Sequence, residues 1–270
     1  MSTKSNQRLF LVSDIHVDAI ENWRWIERLS TTAYQTDALI VAGDVSESLE
    51  RLETTLKLLA AKFALVFFTP GNHDLWVEEE GSNSMVKLQQ IFVLCDRLGV
   101  ATRPCRFGDG DCGIWVCPLL SFHHQRFDQE PDVQGWAIPT VVETMVDYRA
   151  CSWPAGLSML DDSVAAAMDA ANDAHWSDEL LTQRPSSEPL VTFSHFLPRE
   201  ELLPEKRFLF LPVLPKAAGS TFLGRRVASL RPTMHCFGRA AVGSEPTQAV
   251  EAPPVACYVA WCLSSPWAAA

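Results

Sequence analysis

The chain has 270 residues, of which 47% are hydrophobic and 20% charged, and a formal net charge of −11. That balance supports a packed core and excludes a disordered protein, and the negative charge argues against nucleic acid as a partner. The first eight residues are polar and lack an apolar h-region, and no apolar run reaches membrane-spanning length, so the sequence reads as soluble and cytoplasmic, with no membrane partner. Its eight cysteines (Cys95, Cys105, Cys112, Cys117, Cys151, Cys236, Cys257, Cys262) form no CxxC pair or zinc-finger frame, and are expected as reduced, mostly buried thiols.

The run RLFLVS at 8–13 reads as a buried strand ending at Asp14-Ile15-His16. A helix is predicted next, with Asn22, Trp25, Ile26 and Leu29 along one face. ALIVA at 38–42 is a second buried strand, ending at Gly43-Asp44. Leu49, Leu52, Leu56, Leu59 and Phe63 then recur at helical spacing. ALVFF at 64–68 is a third strand, ending at Pro70-Gly71-Asn72-His73-Asp74. Leu88, Ile91, Phe92 and Cys95 mark another amphipathic helix, which Gly99 is fitted to cap. This strand–helix alternation predicts parallel pairing through right-handed crossovers, and all three strands end in polar residues where such sheets place their ligands.

The middle of the chain is less regular. IWVCPLL at 114–120 is a predicted strand, followed by Ser121-Phe122-His123-His124. Residues 125–156, rich in Pro, Trp and Asp, read as a long loop. A helix is predicted around Leu160, Val164, Met168 and Ala171, a strand at 190–193 leading into Ser194-His195, a loop over 198–219, and a short final strand at 233–237 ending at Gly238.

Hydrolysis of a phosphate ester at neutral pH needs a strong nucleophile and a sink for phosphoryl charge, and two metal ions about 3.5–4 Å apart supply both. Mixed imidazole and oxygen donors suit Mn, Fe, Zn or similar metals. The chain offers Asp14-x-His16, Gly43-Asp44, Gly71-Asn72-His73-Asp74 and Ser194-His195 in that order. Alone, each has a plain reading: Asp14 as a turn residue, Asn72-His73-Asp74 as a helix cap with a surface histidine, His195 as a core histidine. Together, each at a strand end, they resemble the signature of the calcineurin-like metallophosphoesterases over about residues 8–238.

That resemblance implies a four-layer α/β sandwich of two mixed sheets flanked by helices. It further implies a metal-dependent hydrolase of phosphate mono- or diesters with a dinuclear site and a metal-bound hydroxide. Asp14 and His16 would bind one metal, Asp44 would bridge, and Asn72 and His195 would bind the other. His73 would be catalytic rather than a ligand, stabilising charge or protonating the leaving oxygen, and Asp74 would orient its imidazole. The expected substrate is a phosphorylated small molecule or a phosphoprotein. Arg199, on a basic stretch, is a substrate-binding candidate, although ion pairs to the flanking Glu200, Glu201 and Glu205 are an equal alternative. His123 and His124 match no motif position and read as surface or packing residues ahead of the alternative that they approach the substrate from a loop, and His175 reads as solvent-facing. Trp136 and Trp153 read as packing anchors.

The pattern breaks after Gly238. The family's last strand ends in GHxH, whereas Arg239 and Ala241 stand where its histidines belong, and neither can ligate a metal. The remaining donors suffice for one metal, or for two held weakly, and Arg239 becomes a candidate phosphate contact. The chain is therefore read as one domain over 1–238 and an atypical Ala/Pro-rich tail over 239–270, expected to be poorly ordered or translated out of frame. A catalytically impaired relative acting as a binding module is the alternative function.

Overall fold

The structure, a computed structural model, describes residues 7–77, 82–110, 113–133, 138–176, 179–238 and 262–263. Strands β1 (Leu9–Val12), β2 (Ala38–Val41) and β3 (Leu65–Phe68) pair in parallel in that order. Leu9 is level with Ala38 and Ala38 with Leu65, so the three strands finish on one rim and deliver their following loops side by side. Between them run α1 (Ile20–Arg28) and α2 (Leu49–Lys62), and α3 (Ser84–Leu98) follows β3.

Because successive strand residues face opposite ways, β2 serves two cores. Leu39 and Val41 pack with Ile26, Leu52, Leu56, Leu59, Leu88 and Ile91 of the three helices. Ala38, Ile40 and Ala42 turn the other way, onto Phe107, Val116, Val191, Phe193 and Cys236 of a second sheet. Such a strand reads as a continuous apolar run, which is why it is easily predicted. The C-cap of α3 is as expected, with Gly99 at a left-handed φ of +70°, and at the other end the Asn83 side chain accepts from the amides of Met85 and Val86.

The second sheet has the order β4 (Cys105–Phe107), β5 (Ile114–Pro118), β6 (Leu190–Ser194), β7 (Met234–Phe237) and β8 (Cys262–Leu263). Its central three strands are parallel and its two edges antiparallel. Between β5 and β6 lie α4 (Val141–Thr144), α5 (Asp147–Ala150), α6 (Ser163–His175) and α7 (Glu179–Thr182), and α8 (Thr221–Leu230) precedes β7. The outer face of this sheet packs Trp115, Cys117, Leu119 and Leu190 against Leu223 and Val227 of α8. Two sheets flanked by helices thus build the fold the resemblance implied.

Several expectations need correction. The segment 125–156 is not all loop, since α4 and α5 form single turns within it, and β7 is not the last strand, because β8 pairs with it. His175 is half-buried: its ring stacks on Phe92 at 3.7 Å and lies 2.9 Å from the Thr102 hydroxyl. His123 and His124 are both buried, the packing half of what was expected of them and not the surface half. The five cysteines whose side chains are described, Cys95, Cys105, Cys117, Cys151 and Cys236, are free thiols. Trp153 packs edge-on against Phe122 in the core. No helix among the described residues is long and apolar enough to cross a membrane. Trp136, Arg239 and Ala241 lie outside the described residues, as do 239–261 and 264–270 of the tail.

Candidate metal centre

The loops after β1 and β2 are laced together: the amides of Asp14, His16 and Val17 donate to the carbonyls of Gly43, Asp44 and Val45 at 2.9–3.0 Å. That pairing holds Asp14, His16 and Asp44 at φ of +53°, +42° and +56°. A left-handed backbone costs a non-glycine residue about 1–2 kcal/mol, and such strain gathers where side chains must be aimed. Gly43, at φ +83°, and Gly71 allow the loops to meet. A Cβ on Gly43 would lie 2.5 Å from the Gly71 nitrogen, and one on Gly71 would collide with the Asp44 carboxylate.

The aimed side chains converge on one atom. The Asp44 Oδ2 lies 3.4 Å from His195 Nε2 and 3.9 Å from the Nε2 atoms of both His16 and His73. Asp14 Oδ1 is 4.0 Å from His16 Nε2. Two groups with metal-holding geometry result, His16–Asp44–His73 and Asp14–Asp44–His195, and Asp44 belongs to both. Burial alone would raise the Asp44 carboxyl, but His195, then His73 and His16, pull it well below the ordinary carboxylate range.

His195 arrives from the second sheet, directly after β6, and is fully buried. Its Nδ1 sits 2.8 Å from the Ala42 carbonyl oxygen, which can only accept, so Nδ1 carries a proton. In the neutral ring Nε2 is then an acceptor, yet it faces Asn72 Oδ1 at 3.1 Å and Asp44 Oδ2 at 3.4 Å. Three acceptors meeting in a buried space call for a positive charge among them. Imidazole nitrogens, carboxylates and an amide oxygen form the mixed donor set of first-row divalent metals, so the residues present fit such an ion.

The remaining predicted residues fall as follows. His73 is partly exposed and stacks on Trp76 at 3.7 Å. Asp74 does not take the predicted role of orienting that imidazole. Its carboxylate is fully buried and accepts the backbone amides of Asp44 and Gly71 through Oδ2, and of Val45 and Ser46 through Oδ1, at 2.8–3.1 Å. The chain direction after Asn72 turns Asp74 inward beneath the loops, where it braces them. Burial, then the Asp44 charge, pushes it up to about 6. Arg199 pairs with Glu201 at 3.1 Å on an exposed turn, the alternative the flanking glutamates offered. Gly238, at the end of β7, abuts Ser13 and the Ala42 carbonyl so closely that a Cβ there would clash, which brings β7 to the same rim.

Sequence reasoning missed one buried group. Asp147, the first residue of α5, receives Asn72 Nδ2 at 2.7 Å and Trp76 Nε1 at 2.8 Å on Oδ1, with His123 Nε2 3.1 Å from Oδ2. The available signal was a lone acid inside the apolar stretch MVDY. His124 serves elsewhere: Nδ1 pairs with Asp162 at 2.9 Å, and Nε2 accepts the Thr221 amide at the start of α8. Both nitrogens of His235 engage hydroxyls, of Thr192 at 2.8 Å and Ser194 at 3.2 Å, so it supplies no replacement for the missing histidines.

Residues 7–136 match the family model of the calcineurin-like phosphoesterases. The acyl-carrier-protein phosphodiesterase PptH of Mycobacterium tuberculosis is 34% identical over 97 residues, which make up 35% of this chain and 30% of that protein. The match thus spans about a third of the relative's length. The crystal structure of phosphopantetheinyl hydrolase (PptH) from Mycobacterium tuberculosis shares the fold, with a TM-score of 0.69 over 92% of this chain and 87% of that one, at 20% identity.

Proposed function

We propose, from the premise that the chain belongs to the calcineurin-like phosphoesterases through residues 7–136, that it is a metal-dependent hydrolase of phosphate esters whose single domain extends over 1–238. The observation that carries this reading is the convergence of three imidazoles, from both sheets, on the Asp44 Oδ2 within 3.4–3.9 Å. Asp44 belongs to both candidate groups, which pair Asp14 with His195 and His16 with His73, so it would stand between two ions. The family resemblance, rather than that grouping, gives Asp14 and His16 to one ion and Asn72 and His195 to the other.

Bound divalent ions would supply Lewis acidity, easing deprotonation of water and neutralising phosphoryl charge. The chain's own residues do the rest. Asp14 and Asp44 bring negative charge, the imidazoles of His16 and His195 bring directed lone pairs, and Asp74 keeps the loops in place. His73, partly open to solvent and braced against Trp76, holds a proton at Nε2 and gives it to the departing ester oxygen.

The likeness to a protein named acyl-carrier-protein phosphodiesterase favours a diester over a monoester. We take a protein-borne phosphopantetheinyl diester as the substrate class. The test is an assay of the Mn²⁺-loaded chain against holo-acyl carrier protein, a generic phosphodiester and a generic phosphomonoester, with Asp44→Ala as control. Release of phosphopantetheine by the parent and not by the control is expected. Turnover of the monoester alone refutes the diester assignment.

A second reading rests on Arg239 and Ala241, which stand where the family's last histidines belong: a weakly metallated relative that binds a phosphorylated partner without turning it over. Absence of turnover in the parent, with activity gained on restoring histidines at 239 and 241, would favour it.

A further inference from the structure

We propose that Asp147 is a positioning residue of the metal centre, which turns the carbonyl oxygen of Asn72 onto the cluster by holding the other end of its amide. The inference rests on the metal-dependent reading above.

The oxygen and nitrogen of an amide side chain are alike in size, so its orientation is decided by its partners. A carboxylate only accepts. With Asp147 Oδ1 2.7 Å from Asn72 Nδ2, the NH₂ must face Asp147 and the carbonyl oxygen must face the opposite way, toward His195 Nε2 at 3.1 Å. Reversing the amide would oppose two oxygens in a buried site and present N–H groups, which cannot ligate a cation, to the cluster.

Asp147 is itself fixed. It is 1% exposed, and Trp76 Nε1 donates to the same oxygen at 2.8 Å, while His123 Nε2 lies 3.1 Å from the other. The backbone adds a further tie, since the Val77 amide donates to the Ala150 carbonyl at 2.9 Å. The insert between β5 and β6 is therefore joined to the loop that carries Asn72, and Asp147 is a contact between the insert and a metal donor. Partners of this kind commonly change metal affinity by about 10–100-fold when removed. An anchoring role for the insert would predict lost stability alone. The positioning role predicts an effect on the ion that passes through Asn72.

The experiment is a calorimetric Mn²⁺ titration of the full chain and of Asp147→Ala and Asp147→Asn, each repeated in an Asn72→Ala background, with circular dichroism to verify folding. Asp147→Ala is expected to weaken Mn²⁺ binding by about 10–100-fold. Asp147→Asn should recover most of that, because its carbonyl oxygen can still accept from Asn72 and Trp76. In the Asn72→Ala background the Ala substitution should cost nothing further. A folded Asp147→Ala variant that binds Mn²⁺ like the parent, or an equal loss in both backgrounds, overturns the proposal. Should Asp147→Ala not fold, Asp147→Glu keeps the charge but displaces the oxygens, and parent-like binding by it would likewise overturn the proposal. A parent chain that takes up no Mn²⁺ overturns the metal reading, and this proposal with it.

Discussion

The carboxylate of Asp74 accepts the backbone amide of Asp44 at 2.8 Å, so the acid of the third loop decides where the acid of the second begins. Three further amides, of Gly71, Val45 and Ser46, end on the same side chain. Asp74→Ala would leave these buried donors without an acceptor. A loss of roughly 3–5 kcal/mol is expected, read as a lowered urea midpoint of the metal-free chain. An unchanged midpoint would show that the loops hold themselves.

His73 is predicted to act on the leaving group. His73→Gln should lower kcat by about 10²–10⁴-fold and leave the metal content by elemental analysis unchanged. If an ion is lost instead, the imidazole belongs among the ligands, as its place in the His16–Asp44–His73 group allows.

Gly71→Ala tests the closeness of the loops. The added Cβ would collide with the Asp44 carboxylate, so Mn²⁺ affinity should fall by at least about tenfold, the order expected for a disturbed ligand. The far-ultraviolet dichroism should persist, since Gly71 lies outside every helix and strand.

Acid should destabilise the metal-free chain through its buried neutral histidines. Burial pushes His235 down to about 3 and His175 down to about 4, against an ordinary value near 6.5. Below about pH 6.5 the unfolded chain therefore binds protons the folded chain refuses. Stability from these neutral rings is complete above that pH and falls as the pH drops toward 4. Each ring contributes a slope of at most about 1.4 kcal/mol per pH unit, and less for the half-buried His175. His235→Gln should flatten the slope measured by urea unfolding in EDTA from pH 7 to 4, and an unaltered slope would assign it to other groups.

Chelation should lower the melting temperature. An ion that binds only the folded chain stabilises it by about 2.7 kcal/mol at a hundredfold excess over Kd, so scanning calorimetry with and without EDTA should separate the two states. Coincident melting curves would mean that the donors hold no ion in solution.

The chemistry was legible where the backbone is regular. Buried parallel strands print continuous apolar runs, and their level ends place Asp14, Asp44 and Asn72 on a shared rim. It was not legible where a residue's role depends on direction. Asp74 adjoins His73 in sequence, but its side chain turns beneath the loops. Asp147 sits in a one-turn helix too short to show a period. Helix α8 buries only Leu223 and Val227 and carries Gly224 between them, so its helical pattern is faint in the sequence. β4 has three residues, too few for alternation to stand out.

His195 reaches the centre from one sheet and Asp44 from the other, so their 3.4 Å separation is a gauge of how the two sheets are seated. Ile40, Phe67, Val116 and Phe193, packed between the sheets, act as the shims that hold the gap. Thinning that layer, as in Phe193→Leu, would let the sheets creep and detune the ligand spacing. An ion held by these donors would therefore owe part of its affinity to hydrocarbon thickness, set at positions remote from every donor atom.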